Sequence, residues 1–393
     1  MDLLIENVRL WDGTGTATQP RMAVAIREGR IAWLGPVGEW PGARSRASIV
    51  DGLGCTLIPG LIDCHVHYSS PGGPEWIARF IDAPALVTLR AVELAGASLR
   101  SGVTSAREVG APDDLNIHLA RAAAAGAFPA PHIHAAGTWI AHRGTYVPFA
   151  RQFAGADELR AAIRAEVAAG ADLIKVALDT WNSPPPEGAP TIPFDADLLA
   201  VAVAEARAAG LTIACHANDP ESGHIAARAG VDSLEHGMTL DAGDLAAMAA
   251  HHTVLVPTIS VWDAWLGFAR EVGWPAARVA RAERLRDSSR AAVAGAVAAG
   301  VTIACGTDAG GGGVRHGRIA REIELLVACG LAPAAALQTA TVNAAALIGE
   351  AARRGTVEVG KQADLVLLEA NPLDDPAALR HVAAVFQDGR RVA

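Results

Sequence analysis

Eight short apolar runs, separated by alanine-rich stretches, constrain what this chain can fold into more than any other feature. The runs lie near residues 57–67, 103–109, 132–139, 172–178, 211–217, 232–236, 253–259 and 301–308. The stretches between them, such as Asp157 to Ala169, Asp197 to Ala209 and Ser288 to Ala299, read as helices. Each ends in Gly and leads into a β-branched run. Alternation of this kind predicts a parallel sheet. Eight strands is the number of a (β/α)8 TIM barrel, a unit of about 250 residues. At 393 residues the chain is longer than that and has room for a small second domain.

Both chain ends supply one. Leu3 to Leu10, Met22 to Ile26 and Ile31 to Leu34 read as strands separated by Asp12-Gly13 and Glu28-Gly29 turns. Ala363 to Leu368 and Val382 to Gln387, followed by Asp388-Gly389, read the same way. The expectation is α/β: a barrel over residues 58–354, with a small β-sandwich domain built from 1–57 and 355–393.

A closed parallel sheet filters every polar residue, because active sites of this fold sit where strands end at the C-terminal face. In Asp63-Cys-His65-Val-His67 the alternation of strand side chains points both imidazoles into the barrel. His216, His236 and Asp308 each close a short apolar run. Any one of them could be a packed core residue. Four His and one Asp at successive strand ends make a nitrogen and oxygen set that suits a divalent metal, zinc by default. Lys175 stands in the middle of the apolar strand Asp172-Leu-Ile-Lys-Val-Ala-Leu. A buried ammonium there is costly, and a neutral amine can take up carbon dioxide as a carbamate, whose two oxygens can serve two metals.

At this point the residues resemble the amidohydrolase superfamily, in particular its imidazolonepropionase-related and prolidase-like branch. The resemblance rests on Leu57-Ile-Pro-Gly-Leu-Ile-Asp-Cys-His-Val-His67, Leu173-Ile-Lys-Val, Ala229-Gly-Val-Asp-Ser-Leu-Glu-His-Gly237, Gly306-Thr-Asp and the closing Gly360-Lys-Gln-Ala-Asp-Leu-Val. It implies a binuclear hydrolase of amide (C–N) bonds. His65, His67 and Asp308 would hold the more buried metal, and His216 and His236 the more exposed one. Carboxylated Lys175 would bridge them together with the attacking hydroxide. Asp308 would take the attacking water's proton and return it to the leaving nitrogen. Asp63, of the same strand parity as His65, is a candidate for orienting a ligand imidazole.

Substrate contacts are sought in the loops after strands. Tyr68 follows the HxH pair, and His142, Arg143 and Tyr146 follow the third strand; His142 matches the loop that binds a substrate carboxylate in prolidase-like relatives. Arg315 and His316 are further candidates, and Trp76, Trp181, Trp262 and Trp265 are expected in loops of the same face. Aromatic walls with one arginine suit an N-acyl amino acid or dipeptide-like substrate. The loop Asp179-Thr-Trp-Asn-Ser-Pro-Pro-Pro departs from the Gly-Gly-rich loop of many relatives, which points to a different pocket. The filter rejects His132-Ile-His134 and His251-His252, which precede strands, and His118 and His381, which lie in helical or linker sequence.

Two other readings stand beside this one. A mononuclear deaminase or cyclic-amide hydrolase would keep HxH, the fifth-strand His and the eighth-strand Asp without a bridging lysine, and Asp219 in His216-Ala-Asn-Asp gives it some support. A metal-free scaffold would have lost ligands that are all present here. The net charge of -9 arises from scattered Asp and Glu with no basic run, which excludes nucleic acid as an expected partner. No apolar run is long enough to span a bilayer, and the start of the chain has no signal-like pattern. A cytoplasmic enzyme acting on a small molecule is expected, with self-association left open. The five cysteines, without CxxC pairs, are expected as reduced packing residues.

Overall fold

Parallel β-ladders form at seven of the eight apolar runs. The computed structural model describes residues 2–179 and 192–393. Leu61–Val66, Val103–Glu108 and His132–Ala135 pair in parallel as one sheet. A second parallel sheet runs in the order Arg151–Phe153, Ile140–His142, Leu173–Ala177, Thr212–Ala217, Ser233–His236 and Val254–Val256. Hydrogen bonds join the two. Asp172 N donates to Ala135 O at 2.8 Å. The eighth apolar run lies between the other two edges. On one side Ala304 N donates to Leu255 O at 3.0 Å; on the other Cys64 N donates to Cys305 O at 2.8 Å and Asp308 N to His65 O at 2.7 Å. This run makes single bridges instead of the expected continuous strand. Gly306 explains part of the irregularity, because a Cβ there would stand 2.7 Å from the Cβ of His65.

The helices begin and end where local chemistry dictates. Asp195, Asp219 and Asp241 accept backbone N–H groups at the starts of Ala196–Ala208, Pro220–Arg228 and Ala242–His251. Gly170 and Gly300, at φ 94° and 71°, close Ala156–Ala169 and Ala276–Ala299 in the left-handed conformation that L-residues avoid. The last of these starts well before the expected Ser288, because Ala276 to Asp287 is rich in helix formers without a clear apolar period. Trp262 and Trp265, expected in a loop, belong to the helix Ser260–Glu271.

Strands from both chain ends pair in one mixed sheet. Its order is Arg390–Arg391, Val382–Gln387, Leu365–Leu368, Thr56–Pro59, Asp2–Leu10, Gln19–Arg27 and Arg30–Pro36, with Ala47–Asp51 alongside Asp2–Leu10. Ile5, Val24, Leu57, Leu365 and Phe386 share one buried cluster, so strands far apart in this order close over a common core. The run expected as a single strand over 57–67 divides at Gly60. Thr56–Pro59 joins the terminal sheet and Leu61–Val66 the parallel one. A side chain at Gly60 would meet Thr104 Oγ1 at 2.1 Å, so the chain passes between the two sheets only as glycine. Among the described residues no helix is long and apolar enough to cross a membrane.

Candidate active site

The residues singled out at strand ends converge. His65, His67, Lys175, His216, His236 and Asp308 are all buried. Asp308 Oδ1 lies 3.6 Å from His65 Nε2 and 3.4 Å from His67 Nε2. The ring centroids of His65 and His236 are 5.0 Å apart, and those of His216 and His236 are 4.6 Å apart. Register accounts for part of this: Ala177, His216 and Glu235 stand in a row across three parallel strands. Backbone strain accounts for more. His236, Thr258 and Asp308 have φ of 71°, 47° and 53°, a region costly for residues other than glycine and more so for a β-branched one. These turns lie at strand ends and swing the side chains out of simple alternation.

Each of the four imidazoles is held through one nitrogen. His65 Nδ1 donates to Glu235 Oε2 at 2.6 Å, and His67 Nδ1 to the carbonyl of Gly110 at 2.8 Å. His236 Nδ1 lies 2.7 Å from Thr258 Oγ1, and His216 Nε2 donates to Asp179 Oδ1 at 3.1 Å. Because carboxylates and carbonyls only accept here, the contacts of His65, His67 and His216 fix the tautomer and leave the opposite nitrogen with a lone pair, whereas the Thr258 hydroxyl orients the His236 ring. Among the described residues His216 Nδ1 is buried without a partner, and so is Lys175 Nζ. Such atoms are expensive to leave bare, and a metal or a carbamate bound to one would satisfy them.

Beneath the imidazoles lies a buried ion pair. The Arg107 guanidinium donates to Cys64 O at 2.6 Å, to Ser233 Oγ at 2.8 Å and to Glu235 Oε1 at 2.7 Å. Burial would raise the Glu235 carboxyl, but Arg107 and Lys175 beside it hold it below the usual range, so it is ionised. Burial, opposed by Glu235 and reinforced by Arg107, lowers the Lys175 amine to about 8. Burial and the neighbouring cations likewise keep His65 and His236 neutral, the form that can ligate.

Asp63 does not orient an imidazole, contrary to the expectation from strand parity. It accepts from His65 N at 3.2 Å, Thr307 N at 3.0 Å and Thr307 Oγ1 at 2.7 Å, and so ties the HxH strand to the Asp308 segment. Glu235, Asp179, Thr258 and Arg107 are the positioning residues that the sequence reading missed. The neighbouring ligand in Glu235-His236 was the only local signal for any of them. The glycine run after Asp308 is part of the site. A Cβ at Gly311 would stand 2.1 Å from Asp308 Oδ1 and 2.3 Å from His67 Cδ2, so glycine keeps the space beside these atoms clear.

Above the imidazoles a cleft is lined by Trp76, Phe80, Trp139, Tyr146, Phe149, Trp262 and Trp265, with Asn218 and Thr258 near its base. Of the four predicted substrate contacts, Tyr146 alone lies in this lining, its ring 4.9 Å from that of His216. Tyr68 is buried with its ring stacked on His316 at 5.2 Å. His142 packs edge-on against Phe153 at 5.5 Å. Arg143 is exposed and pairs with Glu158 at 3.1 Å, because the turn that follows its strand carries it over the helix Ala156–Ala169. Arg315 lines a different cleft, and His316 Nε2 lies 3.0 Å from Ser70 O. Trp181 lies outside the described residues. Asp219, which supported the mononuclear alternative, spends its carboxylate on the N–H of Glu221 at a helix start. His132 lies against Asp364 and Asp388 of the terminal sheet, away from the cleft. All five cysteines are free, with Cys64, Cys215 and Cys305 buried.

The amidohydrolase family model matches residues 56–392, and the chain belongs to that family. It is accordingly an enzyme, a hydrolase acting on amide bonds. Among its relatives, the ochratoxinase of Aspergillus niger is 27% identical over 396 residues, covering 92% of this chain and 81% of its own. The imidazolonepropionase of Acidiphilium cryptum is 28% identical over 417 residues, covering 96% and 95%. The solved structure of a Xaa-Pro dipeptidase with bound methionine in the active site superposes with a TM-score of 0.90 at 28% identity, covering 100% of this chain and 99% of that one.

Proposed function

We propose that this chain is a binuclear metal hydrolase that cleaves the amide bond of a small substrate bearing an aromatic or apolar group. One observation carries the reading. Four imidazoles, each pinned through one nitrogen by a partner that is not a ligand, cluster with Asp308 and with the unpartnered Lys175 Nζ. In this reading His65, His67 and Asp308 would hold one ion, His216 and His236 would hold the other, and Lys175, as its carbamate, would supply an oxygen ligand. Divalent ions of the zinc type supply Lewis acidity, which activates water and polarises the scissile carbonyl.

The chain's own groups do the rest. Asp308 accepts the proton of the attacking water and delivers it to the leaving nitrogen, without which the tetrahedral adduct would revert. Tyr146 stays a neutral phenol, since burial and the Asp308 and Asp179 carboxylates all oppose its ionisation, and it offers its hydroxyl to the substrate. Glu235 and Asp179 keep two imidazoles in the ligating tautomer. The aromatic wall excludes water and seats the apolar group. Tyr68, His142 and Arg143 lie off the cleft lining, so Arg143 is not the group that would meet the carboxylate of an N-acyl amino acid or dipeptide-like substrate.

The same proposal reads the two parallel sheets and the 301–309 segment as one closed (β/α)8 barrel over about residues 58–354, and the terminal sheet as a β-sandwich domain. It places the enzyme in the cytoplasm. The test is metal stoichiometry on protein purified without chelator, with intact mass in bicarbonate. Two metals and a mass increase of one carbon dioxide on Lys175 are expected. One metal on an unmodified lysine would overturn the binuclear reading in favour of the mononuclear deaminase or cyclic-amide hydrolase.

A further inference from the structure

The walls of the cleft say what the substrate lacks. Trp76, Phe80, Trp139 and Phe149 form one packed aromatic surface, with Phe80 5.4 Å from both Trp139 and Phe149. Trp262 and Trp265, 5.3 Å apart, form another surface. Trp265 Nε1 is turned away to Gly312 O at 2.9 Å, and the donor left in the walls, Trp139 Nε1, buried without a partner among the described residues, is neutral and serves a carbonyl as well as a carboxylate. No Lys or Arg lines the cleft among the described residues. The sequence of 180–191 contains no Lys, Arg or His. Arg143 is committed to Glu158 at the surface, and Arg315 lines the other cleft with Arg100 and Arg318.

Resting on the function proposed above, we infer that the substrate is uncharged away from its scissile bond: a neutral aryl or arylalkyl amide, whose ring stacks on the Trp/Phe surfaces. A carboxylate moved from water onto those surfaces would lose its hydration and find no guanidinium or ammonium in exchange. An aromatic group would lose only unfavourable contact with water and gain ring-on-ring contact. Discrimination thus arises from the wall, while the metal-binding residues act on any amide.

A matched pair separates the two demands. N-Benzoylphenylalanine and N-benzoylphenylalanine amide differ only in whether the distal group is a carboxylate or a carboxamide, and release of benzoate is followed for both, so that only cleavage of the shared benzamide bond is counted. With metal-loaded enzyme the neutral compound is expected to have kcat/KM higher by roughly tenfold or more, the scale of leaving one charged group unpaired. Quenching of tryptophan fluorescence in metal-free protein should give the same order of affinity without any turnover. A second variant reports on the wall: Val261→Arg, which puts a cation into the lining, should reverse the preference. Equal or better use of the carboxylate by the native enzyme, or tighter binding of it by the metal-free protein, would overturn the inference. If two metals are bound at the same time, the binuclear reading survives that result. A chain with no metal and no turnover that still binds the neutral compound more tightly would sink the catalytic reading and leave the inference standing.

Discussion

Replacing Glu235 tests the ion pair beneath the imidazoles, because this one carboxylate does two separable jobs. Among the described residues it is the only countercharge hydrogen-bonded to Arg107, at 2.7 Å, and it holds His65 Nδ1 at 2.6 Å. Both side chains of the ion pair are almost wholly buried. Glu235→Ala leaves the guanidinium with Cys64 O and Ser233 Oγ but no negative charge. Breaking a buried pair from one side costs about 3–5 kcal/mol. It also frees His65 to take the other tautomer, and loss of such a partner weakens metal binding by roughly 10–100-fold. The double variant Arg107→Met with Glu235→Leu removes both charges and should recover most of the stability. It should not recover metal affinity, since no group remains to hold His65 Nδ1. Urea midpoints of chelator-treated protein give the first quantity, and zinc competition against a chromophoric chelator gives the second. The reasoning is refuted if Glu235→Ala loses less than about 1 kcal/mol, well under the cost of an uncompensated buried charge. It is equally refuted if the double variant binds zinc as the native protein does.

Other perturbations probe separate parts of the molecule. Lys175→Met replaces a buried amine that has no partner by an apolar chain of similar length, so metal-free protein should be at least as stable, while metal content should fall from two to one by elemental analysis. Asp308→Asn should retain much of the metal and abolish turnover; normal turnover would remove its proton-transfer role. Arg143→Ala breaks an exposed pair with Glu158, so stability should change by no more than about 1 kcal/mol and kcat/KM should hold for neutral and carboxylate substrates alike. Glu322 is buried and caps the start of the Ser260–Glu271 helix through Ile259 N and Ser260 N, and burial raises its carboxyl to about 7 despite those bonds. A raised carboxyl pKa means the folded state holds the proton longer than the unfolded one. Its contribution is therefore full below about 4.5 and is lost as pH rises towards 7. Denaturation midpoints of Glu322→Gln, measured from pH 4 to 8, should lack that component, worth roughly 3 kcal/mol by the size of the shift.

Much of this protein was legible along the chain because its constraints are local. Apolar runs alternating with Gly-terminated alanine-rich helices specified parallel strands at every run but the eighth. Strand alternation alone put His65 and His67 on one side, and the ends of short runs marked His216, His236 and Asp308. The helix starts at Asp195, Asp219 and Asp241 follow from side chains reaching only two or three residues ahead. Even the division at Gly60 left a mark, although the reason for that glycine is Thr104 on another strand.

Only the tertiary structure decided which residues hold the imidazoles in place and which loops face the cleft. Glu235 meets His65 across 170 positions and Arg107 across 128, a pairing made between two different sheets and set by no spacing in the sequence. Asp63 shares parity with His65, yet its carboxylate turns to Thr307, because that segment closes against the HxH strand. The loops were least legible. Arg143 and Tyr146 are three residues apart, but a turn with φ of 59° at Tyr146 directs one to solvent and the other to the cleft. The chemistry of the site was written in residue types at strand ends, whereas its selectivity depends on turn conformations that only the packed structure fixes.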